Sequence, residues 1–188
     1  MLNLADFIVV TEPLLDTLQL KEIIAVTDGV EWRTPPDSPD YPERTCTTFP
    51  LSAAVGGNYP CPPDKLAMVK RADDVLLDAS LRALNIYKTK FPLVTRQDCG
   101  FDILRYETGQ FIGVHRDDMV PRVLSMSIAL NGDGDGDYAG GEFKFWDDGE
   151  PFRLPAGCAL MFPPSFMYPH EILPVTSGIR YSMITWFT

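Results

Sequence analysis

From Asp98 onward the chain breaks into short apolar runs separated by turn-forming residues, and this texture restricts the fold more than any other feature. Runs of this kind, bounded by Gly, Pro, Asn and Asp, are strand signals. Candidate strands run over 98–106, 111–115, 122–130, 141–146, 151–154, 157–162, 167–171 and 178–187. So many short strands in so little chain need a closed or double-sheet arrangement, because only that hides their apolar faces and their unpaired edges together.

The first half reads differently. A short strand over 7–10 leads to Thr11, which predicts a helix cap with Pro13 in the first turn, a stripe of Leu14, Leu15, Leu18, Ile23 and Ile24, and an end at Asp28-Gly29. Residues 34–63, rich in Pro and Gly, predict a long loop with a strand over 45–51, which either covers an entrance or is only a connection. Asp64 predicts the cap of a second helix, with Leu66, Val69, Leu76, Leu77, Leu81 and Leu84 on its stripe and Pro92 as its stop. The expected architecture is mainly β with supporting helices: 1–97 as helical support and loop region, 98–188 as the β-core. Its 188 residues and 45% hydrophobic content suit one good core, hence a single domain over 1–188.

Charge narrows the partners. The chain carries 26 acidic and 16 basic residues, a net charge of −10, and no basic run. Such a field repels phosphate backbones and anionic lipid, which disfavours nucleic acid as a partner. The start lacks a positive, unbroken apolar stretch, and no segment nears the ~20 apolar residues that span a bilayer. The expectation is a soluble, cytoplasmic protein without membrane contact. Four cysteines, Cys46, Cys61, Cys99 and Cys158, form no CxxC pair and read as free thiols rather than a Cys46–Cys61 bridge.

The chain has only two histidines. His115 opens the triplet His115-Arg116-Asp117, and His170 arrives on a different strand 55 residues later. Residues two apart on a strand share a face, so His115 and Asp117 can grip one ion. Singly, each histidine is more simply a hydrogen-bonded structural residue. Jointly, two imidazoles and one carboxylate form a facial triad with open coordination positions, as in non-haem Fe(II) oxygenases. On ligand type alone, zinc fits the same three donors. A strand from Gly178 would put Arg180, Ser182, Ile184 and Trp186 on one face. A buried Arg180 there needs an anion, whereas at a solvent edge it needs only one of the many carboxylates.

Other features have plainer readings. A calcium loop beginning at Asp133 would want Gly at its sixth place and Glu at its twelfth, where Tyr138 and Lys144 stand. The 131–138 stretch is instead expected to be a solvated hairpin or a mobile lid. Phe143, Phe145, Trp146 and Trp186 are expected as core or rim aromatics. Arg116 and Arg122 flank the candidate metal ligands, where they either meet a substrate carboxylate or backbone or sit in solvated salt bridges.

Taken in order, Tyr106-Glu107-Thr108-Gly109-Gln110-Phe111, His115-Arg116-Asp117, Leu130-Asn131, Gly140-Gly141-Glu142-Phe143, and His170 with Gly178-Ile179-Arg180-Tyr181-Ser182 resemble the 2-oxoglutarate and Fe(II)-dependent dioxygenases, within them the prolyl 4-hydroxylase-like branch. The resemblance covers about residues 98–188 and implies a double-stranded β-helix, or jelly-roll, core. It implies His115, Asp117 and His170 as Fe(II) ligands, Arg180 on the distal carboxylate of 2-oxoglutarate, Tyr106 reaching that cosubstrate through its hydroxyl, and Ser182 adding a hydrogen bond. It further implies O2 as oxidant, ascorbate as reductant, and release of succinate and CO2 as a C–H bond is hydroxylated. The implied substrate is a prolyl residue of a protein or peptide. The alternatives are a free amino acid or small metabolite and, from another class, a non-catalytic jelly-roll binding protein. Departures narrow the branch. Collagen-type prolyl 4-hydroxylases carry Lys where Arg180 stands, AlkB-like dealkylases carry Arg where Trp186 stands, and iron-dependent halogenases lack the carboxylate supplied here by Asp117.

Overall fold

A computed structural model describes residues 3–34, 43–132 and 137–188. A 3-10 turn over Leu4–Phe7 leads into β1 (Val9–Val10) and α1 (Thr17–Ala25). The predicted cap at Thr11 is displaced. Thr11 continues the sheet instead, its amide donating to Ala159 O at 2.9 Å and its hydroxyl accepting from Ala159 N at 3.0 Å. The helix starts after Asp16, which accepts from Gln19 N at 2.8 Å while Gln19 returns the bond to Asp16 N at 3.0 Å. That two-way box satisfies two orphan amides, which a lone Thr cannot do.

Of the expected 34–63 loop, residues 35–42 lie outside the described residues, and the remainder is more ordered than composition suggests. It holds β2 (Thr47–Pro50) and α2 (Leu51–Val55). The long helix α3 (Leu66–Lys90) ends before Pro92 as expected, but Lys65 takes the cap position in place of Asp64, its ammonium bonding Asp28 O. Its buried face is Val69, Ala72, Leu76, Ala79, Ala83, Leu84 and Tyr87. Leu66 and Leu81, expected on that stripe, are 44% and 46% exposed, as is Leu18 of α1 at 66%. Alanines let α3 sit close to the sheet, which narrows the buried stripe and leaves bulkier neighbours outside it.

Strands β3 (Asp102–Tyr106), β4 (Ile112–His115), β5 (Leu124–Ala129), β6 (Tyr138–Gly140), β7 (Phe143–Phe145), β8 (Ala159–Phe162), β9 (His170–Ile172), β10 (Val175–Gly178) and β11 (Arg180–Phe187) follow. Six strands form one sheet in the order β1-β8-β5-β11-β3-β2, three form a second in the order β4-β9-β7, and β10 pairs with β6. The β6–β10 pair was not foreseen, whereas the strand expected over 151–154 shrinks to one bridge, Phe143 to Phe152. Three-residue strands carry little periodicity, and Gly140 at φ 76°, where a Cβ would meet Pro174 O at 2.3 Å, hides β6 behind a turn signal.

Two cores result. Ile103, Leu124, Ile128, Ala159, Met161, Met183 and Phe187 pack from the six-stranded sheet against α1 and α3. On the other face, Leu104, Tyr106, Leu160 and Phe162 meet Ile112, Phe143, Phe145 and Ile172 of the smaller sheet. The strand period of two divides the chain between them, so β11 sends Met183 and Phe187 to the helices while Ser182, Ile184 and Trp186 line a cavity on the opposite side. The cysteines are free thiols, and no helix among the described residues is long and apolar enough to cross a membrane.

Candidate metal centre

Antiparallel pairing of β4 with β9 sets His115 directly opposite His170, their ring centroids 4.1 Å apart. Asp117 lies just past the end of β4, in a turn held by Met119 N donating to Asp117 O at 2.7 Å. Its two oxygens divide between the imidazoles: Oδ1 is 3.8 Å from His115 Nε2 and Oδ2 is 3.9 Å from His170 Nε2. Two bonds of about 2 Å to a shared ion span that gap. Among the described residues these three side chains form the one cluster of His, Cys, Asp and Glu able to hold a metal.

Backbone carbonyls fix the tautomers. His115 Nδ1 lies 2.9 Å from Gly113 O and His170 Nδ1 lies 3.1 Å from Tyr168 O. A carbonyl only accepts, so each Nδ1 carries the proton and each Nε2 turns a lone pair toward Asp117. Burial, helped by the neighbouring His115, pushes the His170 pKa down to about 4 against the pull of Asp117, so the ring is neutral at pH 7. Phe162 and Phe145 pack on it at 4.8 and 5.5 Å. Burial pushes Asp117 the other way, yet the two imidazoles and the Ser125 hydroxyl, donating to Oδ2 at 2.7 Å, hold its carboxyl below the usual range. The Trp186 indole N–H leans the same way without closing a full hydrogen bond. A neutral imidazole at His170 and a carboxylate at Asp117, with the Nε2 of His115 turned to the same point, make a donor set that suits a divalent ion.

The remaining expected residues gather nearby. Register places Arg180 opposite Tyr106 across β11 and β3. Arg180 is 3% exposed, its guanidinium 4.8 Å from the Tyr106 ring and 5.3 Å from Phe143, with a single hydrogen bond, to Ser182 Oγ at 3.1 Å. Among the described residues it has no carboxylate partner. An unpaired cation held out of water is costly, so this one is built to receive an anion. Gly141 makes the room, since a Cβ there would stand 2.7 Å from Arg180 Cδ. Burial, with Cys46 beside it, pushes the Tyr106 phenol far up, so it remains a hydroxyl able to donate.

A cavity of about 180 Å³ joins these groups, lined by His115, Asp117 and His170 and by Tyr106 and Ser182. Its wall also holds Arg44 Nε, Ser127 Oγ and Trp186 Nε1, three of the five buried polar atoms that lack a partner among the described residues. Unsatisfied polar atoms concentrated around one cavity mark a place shaped for a polar ligand. Sequence reasoning passed over Ser125, Ser127, Arg44 and Cys46. Only their cross-strand positions reveal them, and a single Ser or Arg in a strand carries no signal. The calcium reading of the loop from Asp133 falls on 133–136, outside the described residues.

Residues 101–188 match the family described as the 2OG-Fe(II) oxygenase superfamily. A PKHD-type hydroxylase from a Synechococcus strain is 39% identical over 89 residues, 43% of this chain and 39% of that protein, so the match spans about two fifths of that relative's length. A PKHD-type hydroxylase from Methylobacillus flagellatus is 24% identical over 181 residues, 90% of this chain and 76% of that one. A Trichoplax adhaerens prolyl hydroxylase, solved with a hypoxia inducible factor oxygen degradation domain peptide, superposes with a TM-score of 0.72 at 13% identity, covering 96% of this chain and 83% of that one. A Pseudomonas putida prolyl-4-hydroxylase does so with a TM-score of 0.64 at 18% identity, covering 96% and 91%. The likeness to the solved structures is one of fold, the double-stranded β-helix that the family resemblance implied.

Proposed function

We propose that this chain, whose residues 101–188 match the 2OG-Fe(II) oxygenase superfamily, belongs to it and hydroxylates an unactivated C–H bond with 2-oxoglutarate and O2 as cosubstrates. The observation that carries this reading is a carboxylate set between two imidazoles in a cavity that Tyr106 and Ser182 also line, with a buried arginine held against both of them and no carboxylate partner for it among the described residues. His115, Asp117 and His170 would hold Fe(II), a fit supported by the fixed tautomers and the neutral His170. Bound Fe(II) would supply the oxidation, in which O2 delivers one oxygen atom to the substrate and one to succinate as CO2 leaves.

The chain's own residues then have separate tasks. Arg180 neutralises the distal carboxylate of 2-oxoglutarate, Ser182 holds the guanidinium at 3.1 Å, and Tyr106 donates from its un-ionised hydroxyl. Phe145 and Phe162 keep water from one side of His170. Ascorbate would serve as the reductant that keeps the metal ferrous. The substrate we favour is a prolyl residue of a protein or peptide, supported by the PKHD-type hydroxylase relatives and by the prolyl hydroxylase folds. Residues 1–97 act as the support of the same single domain, with α3 backing the sheet that carries Arg180 and Ser182.

Iron and cosubstrate binding separate these roles. His115→Ala or Asp117→Ala should abolish Fe(II) binding in anaerobic titrations, and unchanged affinity in both variants would remove the triad. Arg180→Ala should retain iron and weaken 2-oxoglutarate by about a hundredfold, the scale of a lost charge-assisted pair. Wild-type protein with Fe(II), ascorbate and 2-oxoglutarate should form succinate, faster with substrate, and mass spectrometry should find an added oxygen on it.

A further inference from the structure

Four arginines elsewhere on the molecule meet carboxylates, Arg71 with Glu22 at 3.3 Å, Arg82 with Asp78 at 2.9 Å, Arg105 with Glu107 at 2.5 Å and Arg153 with Glu142 at 3.1 Å, whereas Arg33 and Arg96 form no ion pair among the described residues. Those lining the cavity form none either. Arg44, Arg116 and Arg122 all border it, and none has a carboxylate partner among the described residues, in a chain with ten more acids than bases. Arg44 is also within electrostatic reach of Asp102, which leaves Arg116 and Arg122 as the two cations at the opening with no carboxylate of their own among the described residues, a local field of the opposite sign to the whole.

Their fixation supports the same view. Arg122 lies 3.7 Å above the Trp186 ring, whose indole N–H leans toward Asp117. Stacking uses the face of a guanidinium and leaves its in-plane N–H donors free for an incoming acceptor. Arg44 spends one nitrogen on Thr48 Oγ1 at 3.1 Å and keeps Nε buried without a partner. Exposed apolar side chains flank the ligand histidines along the chain: Val114, Met119 and Val120 on one side at 56%, 61% and 94% exposure, and Phe166 and Met167 on the other at 69% and 44%. Met119 lines the opening itself, and exposed apolar groups on the segments that carry the histidines suit a partner larger than the cavity.

Resting on the oxygenase reading, we propose that the site selects an acidic peptide segment, with substrate carboxylates held by Arg116 and Arg122 and apolar neighbours covering Met119, Val120 and Phe166. A polyanion such as nucleic acid would feel the whole charge of −10, whereas a peptide with a few carboxylates feels chiefly the opening.

The test uses three pools of proline-centred peptides, identical in design but with acidic, neutral or basic flanks. Each is given to the full chain with Fe(II), 2-oxoglutarate and O2, reading succinate above the peptide-free rate and added oxygen by mass. The acidic pool should be favoured by about tenfold or more over the basic pool at low salt, an advantage that shrinks toward ~0.5 M NaCl. The double variant Arg116→Glu/Arg122→Glu should reverse the preference, while Arg71→Glu/Arg82→Glu, the same charge change placed on α3 away from the cavity, should keep it. Preference for the neutral or basic pool, or peptide-free succinate that no pool stimulates, would overturn the inference while leaving the oxygenase reading intact. Absence of succinate under every condition would sink that reading instead. Anisotropy of labelled acidic and basic peptides, with the same variants, would then still decide the inference: equal binding by both overturns it.

Discussion

At the scale of single residues, the proposed metal centre depends on groups that would never touch the ion. Gly113 and Tyr168 each accept from a histidine Nδ1, and Ser125 holds one Asp117 oxygen at 2.7 Å. Losing such a support weakens metal binding by roughly 10–100-fold in comparable sites. Ser125→Ala is therefore expected to raise the Fe(II) dissociation constant by at least about tenfold while the melting temperature barely moves. Anaerobic calorimetric titration checks it, and wild-type affinity in the variant would show Asp117 positioned by the backbone alone. The ligands themselves were legible because the chain has only two histidines, one of them two residues from an aspartate. Arg180 was legible because its strand has a period of two. Ser125 was not, since nothing in Leu124-Ser125-Met126-Ser127-Ile128 distinguishes a serine facing a carboxylate from one facing solvent.

At the scale of elements, the long strands, α3 and most short strands were readable, and the glycine-bounded pair β6 and β10 was not. β11 holds eight residues and β5 six, enough for alternation to declare itself. β7 and β9, of three residues each, fall in or against the expected 141–146 and 167–171, whereas β6, also three residues long, and its partner β10 had no strand expected over them. On α3 the error lay in width, because Leu66 and Leu81 were counted into a stripe that Ala72, Ala79 and Ala83 keep narrow. Within that stripe Leu76 is fully buried in the core shared with the sheet. Leu76→Ala should cost about 2–5 kcal/mol, as a large-to-small change at a close-packed site does. Leu81→Ala should stay within about 0.5 kcal/mol. Urea unfolding of the two variants makes the comparison, and equal losses would refute the narrow face.

At the scale of the whole molecule, charge and burial set how stability follows pH. Burial pushes the Asp102 carboxyl above its ordinary pKa, with Arg33 and Arg44 only partly opposing it. The folded state therefore prefers the protonated acid. That preference contributes stability below the unfolded pKa, and the contribution is lost as pH rises through the raised folded value. Asp102→Asn removes the loss, so its melting temperature should exceed that of the wild type at pH 7 and converge with it near pH 3. A gain that persists unchanged into acid would point to some other cause. The wider layout, a β-core backed by helices, was evident from where strand texture begins at Asp98. What the sequence could not convey is that the two cores share one wall. Each residue of β11 belongs either to the helical side or to the cavity, in strict turn. Substitutions on this strand can thus drift on one side without disturbing the other, but its length cannot. Inserting or deleting one residue between Arg180 and Phe187 would exchange the two sides at once, turning Met183 into the cavity and Ser182 against α3, so natural variants of this strand should differ in spelling and never in count.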